Sequence, residues 1–267
     1  MKTLSFKYGT ISYTVKGKGR AIVLLHGFLE SKEIWSSYAE KLARVYKVIA
    51  IDLPGHGHSD CFGYVHRMDF MAQSVKAVLD SLHLRRYILI GHSMGGYVAL
   101  AFAERYQETL KGLVLFHSTA LADTREKKRD REKAIEFVKK NPEVYAREAT
   151  KKLFAPLNTE LFRDKLHFAQ QISSATSQQG IIAALEGMKI RKNKEHVLQQ
   201  AIYPVFFIVG KLDTTIPIER IRPLFVLAKN TYTQTLENAG HMGFFEAETE
   251  TLRASKKFAR VCFRTPY

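Results

Sequence analysis

The chain has 267 residues, 46% hydrophobic and 25% charged, enough to bury one large core or a core with an insertion, and far from the composition of a disordered polymer. No apolar run approaches the roughly 20 residues that span a bilayer, and the opening MKTLSFKYGTISYTVKG alternates as a strand does, unlike a secretory leader or an anchor. The net charge is +15, from 41 Lys and Arg against 26 Asp and Glu, but acids are interleaved with the bases, as in REKKRDREKAIEFVKK at 125–140, so the basic surface reads as solvated, with neither nucleic-acid nor membrane binding expected.

LSFKYG and ISYTVKG come first and predict a pair of strands. AIVLLH, KVIAID, YILIGH and LVLFHS follow, each nearly continuous in apolar residues, which is how strands covered on both faces of a parallel sheet read. IWSSYAEKLARV, MDFMAQSVKAVLDSL and GGYVALAFAERY separate them with helical periodicity, and the alternation predicts a doubly wound α/β sheet with right-handed crossovers. From 121 to 200 no strand is legible, and apolar residues recur at helical spacing, so this stretch is expected to be a helical cap inserted in a core made of 1–120 and 201–267. The core resumes with PVFFIVG, a helix at IERIRPLFVLAK, a strand at YTQTLE and a helix from Ala247 to Arg260, for about eight strands in all. Cys61 and Cys262 give no disulfide framework and suit reduced, incidental thiols in the cytoplasm, and no cofactor motif is read.

The chemistry centres on YILIGHSMGG, where a buried-type strand runs through Gly91, His92 and Ser93 into a helix. A serine on so tight a turn takes a strained backbone, which small residues at Gly91, Gly95 and Gly96 permit. The Met94 N–H, at the start of the helix, is aimed at developing negative charge. A serine hydroxyl is a weak nucleophile at neutral pH and needs a base and an orienting acid. His241 in NAGHMGFFE is the candidate base, between the last strand and the last helix, and Asp213 in FFIVGKLDTTIP, just past a strand, is the candidate acid. Asp123, after the preceding strand, is a rival for the acid position. A second oxyanion donor is expected from the loop after an early strand, at the Phe28 N–H of HGFLES, with His26 bonding within that loop.

Asp52, His56 and His58 in DLPGHGHSD could be read as metal ligands, but Pro54, Gly55 and Gly57 mark a tight loop that Asp52 is expected to order, and no metal site is assigned. Cys61 has no strand-to-turn context for a nucleophile, and Trp35 reads as packing on the first helix.

Through HGFLES, DLPGHGHSD, GHSMGG, GKLDTTIP and AGHMGFFE, taken in order over nearly all of residues 1–260, the chain resembles the α/β-hydrolase superfamily in its serine-nucleophile branch. The resemblance implies a triad of Ser93, Asp213 and His241, an oxyanion pair at Phe28 and Met94, and a cap at 121–200. The chain looks closest to small bacterial esterases and thioesterases, including pimeloyl-acyl-carrier-protein methyl esterase-like and menaquinone-pathway hydrolase-like members. Haloalkane dehalogenases and epoxide hydrolases carry an aspartate at the elbow, and proline iminopeptidases a tryptophan where this chain has Met94.

The expected activity is hydrolysis of a carboxylic ester or thioester through an acyl-enzyme on Ser93. Apolar cap residues Phe154, Leu161, Phe162 and Ile182 are expected to roof the pocket and hold substrate to a small or medium acyl group. The basic surface admits an acidic acyl carrier protein as partner. A ligand-sensing protein on the same fold and a carbon–carbon bond hydrolase or lyase with the same triad remain open as alternatives.

Overall fold

The computed structural model describes residues 1–264. Two strands open the chain, β1 (Lys2–Phe6) and β2 (Gly9–Lys16), and their partial exposure suits a sheet edge. The four apolar runs form β3 (Ala21–Leu25), β4 (Lys47–Ile51), β5 (Tyr87–His92) and β6 (Leu110–Phe116), followed late in the chain by β7 (Val205–Gly210) and β8 (Thr231–Leu236). All eight lie in one sheet of order β1-β2-β4-β3-β5-β6-β7-β8. β2 runs antiparallel to β1 and β4, and every pair from β4 to β8 is parallel.

Helices α1 (Ser36–Ala43), α2 (Met68–Ser81) and α3 (Met94–Tyr106) make the early crossovers. Alternate strand residues feed two apolar layers, Val23, Leu25 and Leu89 on one face, Ile22, Leu24 and Ile90 on the other. Each strand from β3 to β7 is therefore buried on both faces, which explains why it reads as a continuous apolar run and not as an alternation.

Between β6 and β7 the chain is helical: α4 (Arg125–Val138), α5 (Pro142–Lys151), α6 (Arg163–Ser174), α7 (Gln178–Lys189) and α8 (Glu195–Gln199). The sequence marks these starts. Thr124 caps α4 by accepting the Lys127 N–H at 3.2 Å, Ser177 caps α7 by accepting the Gly180 N–H at 3.1 Å, and Pro142 opens α5 at a position whose N–H has no helical partner.

After β7, the helix expected across IERIRPLFVLAK is instead a single turn, α9 (Ile218–Ile221), continued by a 3₁₀ segment over Arg222–Val226. Pro223 supplies no N–H and crowds the preceding turn, so an α-helix cannot run through it. A short α10 (Gly243–Glu246) precedes the final helix, α11 (Glu248–Arg264). No described helix is long and apolar enough to cross a membrane.

The sheet order reverses between β3 and β5, and the loops leaving their carboxyl ends open a crevice there. Phe28 follows β3, Ser93 follows β5, Asp213 follows β7 and His241 follows β8, so one edge of the sheet gathers residues that are far apart in sequence.

Candidate active site

Ser93 sits between β5 and α3 with φ 48° and ψ −114°, a conformation that costs a non-glycine residue about 1–3 kcal/mol. Four hydrogen bonds hold it there: its N–H donates to Phe116 O at 2.9 Å, and its carbonyl accepts the Gly96 N–H at 2.9 Å, the Tyr97 N–H at 3.4 Å and the Ser118 hydroxyl at 2.8 Å. The flanking glycines are required by contact. A Cβ on Gly91 would stand 2.4 Å from Gly95 O, and one on Gly95 would stand 2.5 Å from Leu25 O and 2.6 Å from His26 O.

Asp213 and His241 meet at the same edge. His241 Nδ1 donates to Asp213 Oδ2 at 2.7 Å, while Asp213 Oδ1 accepts the N–H groups of Thr215 and Ile216, each at 2.9 Å. Burial opposes ionisation of Asp213, yet the His241 charge and the hydrogen bonds outweigh it and hold the carboxyl below its usual range. With Nδ1 protonated toward the carboxylate, His241 Nε2 is left bearing a lone pair, buried and without a partner among the described residues. The His241 N–H donates to Leu153 O at 2.7 Å, so the segment after α5 latches the histidine loop in place. The rival Asp123 is bonded to Arg131 and Arg191 instead.

Three polar residues beneath this arrangement escape a sequence reading. His117, at the end of β6 with φ 46°, places Nδ1 3.1 Å from Asp213 Oδ2 and 3.2 Å from the Gly210 nitrogen. Burial lowers its pKa to about 4, so the ring is neutral at pH 7. His92 Nδ1 faces Glu30 Oε2 at 3.0 Å and its Nε2 faces His241 O at 2.9 Å. Both partners are acceptors, so the ring carries both protons. Burial works against that charge, but the Glu30 carboxylate outweighs it and raises the His92 pKa. Burial likewise opposes ionisation of Glu30, and His92 overrides it to lower the Glu30 pKa. Glu30 also accepts the Gly27 N–H at 2.5 Å, so one ion pair ties the loop after β3 to the serine turn and to the His241 backbone. The available signal is a polar residue at the carboxyl end of an apolar strand, the end at which open α/β sheets place their ligands.

The expected oxyanion donors follow β3 and Ser93. Neither the Phe28 N–H nor the Met94 N–H donates to another group among the described residues. The Met94 side chain is buried in the core, leaving only its backbone to serve. His26 is structural as expected: Nδ1 donates to Gly27 O at 2.7 Å and Nε2 accepts the Leu53 N–H at 2.9 Å.

Asp52 orders its loop by accepting the Lys32 N–H and ammonium, each at 2.6 Å, and the His58 N–H at 2.9 Å, which leaves it no role as a ligand beside His56. His117, Asp213 and His241 also converge closely enough to be considered as metal ligands. Two ligands about 2.1 Å from one tetrahedral ion stand about 3.4 Å apart. The 2.7 Å between His241 and Asp213 is a hydrogen-bond distance, so this trio fits a carboxylate orienting a histidine base better than an ion.

Ser93 and His241 line one cavity of about 250 Å³ with Phe28, Tyr97, Tyr145 and Met188. The apolar residues expected to roof it lie elsewhere. Phe154 is buried against Phe245, its ring stacked at 6.3 Å, Phe162 packs on the same layer, Ile182 packs on the opposite one, and Leu161 is 75% exposed. Apolar periodicity marks what a helix buries, and these helices bury such residues against the core, not over the serine. The cavity takes Lys127, Arg131 and Arg191 from α4 and the segment after α7 instead.

The family model for the alpha/beta hydrolase fold matches residues 20–248. Among curated relatives, the chain is 29% identical over 241 residues to the AB hydrolase superfamily protein YisY of Bacillus subtilis (strain 168), covering 86% of this chain and 88% of that protein. A shorter match, 35% over 104 residues, joins 39% of this chain to 30% of an uncharacterized protein of Mycobacterium tuberculosis, so the chain spans under a third of that relative's length. Among solved structures, a thermophilic esterase from Thermogutta terrifontis, malate bound, superposes with TM-score 0.91 at 27% identity, covering 95% of this chain and 94% of that one.

Proposed function

The chain belongs to the α/β-hydrolase family, and on that premise we propose that it is a serine hydrolase cleaving a carboxylic ester or thioester of a small to medium acyl group. One observation supports this above others. His241 is oriented by Asp213 at 2.7 Å and, among the described residues, has no partner for its Nε2, and it lines the same cavity as Ser93.

In this reading His241 Nε2 takes the Ser93 proton as Oγ attacks the carbonyl carbon, and Asp213 stabilises the imidazolium. The Phe28 and Met94 N–H groups meet the oxyanion. Collapse expels the alcohol or thiol, protonated by His241, and leaves an ester on Ser93. Water, deprotonated by His241, then attacks that ester, and the acid departs as Ser93 regains its proton. The 250 Å³ cavity lies below the roughly 300–1,000 Å³ that drug-sized ligands occupy, which supports a small substrate.

The test is turnover of p-nitrophenyl acetate and butyrate beside an acyl thioester and a vinylogous diketone. Ester or thioester hydrolysis that vanishes in Ser93→Ala supports the proposal, and cleavage of the diketone alone would replace it with carbon–carbon bond hydrolysis. Acylation without turnover would indicate a sensor. An acidic acyl carrier protein remains our proposed donor of the acyl group. Its test is a carrier-bound substrate whose hydrolysis falls with salt more steeply than that of the free ester. The free thiols of Cys61 and Cys262 suit the reducing cytoplasm we propose for it.

A further inference from the structure

The cavity beside Ser93 is lined by five cationic side chains, Lys127, Arg131, Lys152, Arg191 and Arg220, against two carboxylates, Glu30 and Asp123. Glu30 is committed to His92. Asp123 is shared by two guanidiniums, Arg131 Nε at 2.5 Å and Arg191 Nη1 at 2.6 Å, and the three side chains are only 3%, 11% and 7% exposed. One negative charge therefore faces two positive ones in a nearly dry wall.

Lys127 adds a third cation. Its ammonium has no hydrogen bond or ion pair among the described residues, and burial, then Arg131, lowers its pKa. Arg191 stacks its guanidinium 3.9 Å over the Tyr97 ring, and among the described residues its buried Nε has no acceptor.

A purely structural role accounts for part of this. Arg191 donates to Met188 O at 3.0 Å and to Leu121 O at 3.2 Å, and Arg131 fixes α4 to Asp123. It leaves the excess charge unexplained, because burying like charges together is costly unless an anion joins them.

We propose that this enzyme acts on esters or thioesters that carry a carboxylate remote from the scissile bond, and that Lys127, Arg131 and Arg191 bind that carboxylate. The proposal rests on Ser93 being the nucleophile of this cavity. Asp123 takes only the Nε and Nη2 of Arg131, so the donors left at the cavity, the Lys127 ammonium and the Arg131 Nη1 with the Arg191 charge behind them, match a singly charged, planar carboxylate. The cavity's small volume sets the class at short half-esters of dicarboxylic acids or short esters of hydroxy acids, which place the charge on the acyl or the alcohol side.

Two matched pairs separate these sources: monoethyl adipate against diethyl adipate, and 6-acetoxyhexanoate against hexyl acetate, followed by pH-stat. In at least one pair the anionic ester is expected to show a kcat/KM about tenfold higher, carried by KM and shrinking as salt rises. Lys127→Met is expected to cut that ratio about fivefold, and Lys127→Glu to invert it. Adipate is expected to raise the melting temperature of the wild type and not of Lys127→Glu, a readout independent of catalysis. A ratio at or below one in both pairs, or a ratio that neither variant changes, overturns the proposal. Fluorophosphonate labelling of Ser93 keeps the two readings apart. Labelled enzyme without anion preference defeats this inference alone, whereas unlabelled Ser93 defeats the hydrolase reading whether or not adipate binds.

Discussion

Replacing Asp213 with asparagine changes one atom at the junction of the site and separates an orienting acid from a merely structural one. The asparagine oxygen can still accept the Thr215 and Ile216 N–H groups, each at 2.9 Å, which places the new NH₂ where Oδ2 now meets His241 Nδ1 at 2.7 Å. An NH₂ donates, so His241 must turn Nδ1 into an acceptor and carry its proton on Nε2. That tautomer cannot take a proton from Ser93, and kcat is expected to fall about 10⁴-fold, equivalent to about 5.5 kcal/mol of transition-state stabilisation. The Asp213 pKa is held low in the fold, so its charge stabilises the native state above the unfolded value near pH 4 and that contribution fades as pH falls. The assay is p-nitrophenyl butyrate hydrolysis at pH 7.5 with melting temperature measured in parallel. A loss under tenfold in a variant that remains folded would refute the assignment of Asp213.

Glu30→Gln breaks the buried pair with His92 and is expected to cost about 3 kcal/mol, roughly 6–12 °C in melting temperature. Glu30 is held low and His92 high, so the deficit should be fully developed between about pH 4.5 and 6.5 and shrink on either side, as denaturant melts at pH 5.5 and 9 will show. His117 is held neutral down to about pH 4, so the wild type loses stability as pH falls from 6.5 toward 4. His117→Asn is expected to remove about 3 kcal/mol of that pH dependence, read as a flatter plot of unfolding free energy against pH. Gly95→Ala drives a Cβ to 2.5 Å from Leu25 O, and the displaced serine turn is expected to lower kcat/KM about a hundredfold. An alanine variant with full activity would show that the loop after β3 yields freely.

The sheet was legible because strands covered on both faces leave uninterrupted apolar runs, as in AIVLL and VFFIVG. The serine turn was legible for a steric reason, since Gly91 and Gly95 stand where any Cβ would strike backbone. Strand-end position alone leaves Asp213 and Asp123 as rivals; the resemblance at GKLDTTIP favours Asp213, and the structure adds that Asp213 meets His241 while Asp123 meets two arginines. The cavity lining was not legible: Phe154 and Phe162 advertise burial, but periodicity does not say against what, and the charged Lys127 and Arg131 on α4 read as a solvated face. His92 and His117 hid within apolar strand ends, where a single histidine has no periodic signature.

Mass spectrometry of fluorophosphonate-treated protein tests most directly whether Ser93 is the nucleophile. One phosphonyl adduct is predicted, mapped to the peptide carrying Ser93, absent in Ser93→Ala and formed at least tenfold more slowly in Asp213→Asn. Undiminished ester hydrolysis with Ser93 unmodified would contradict the account.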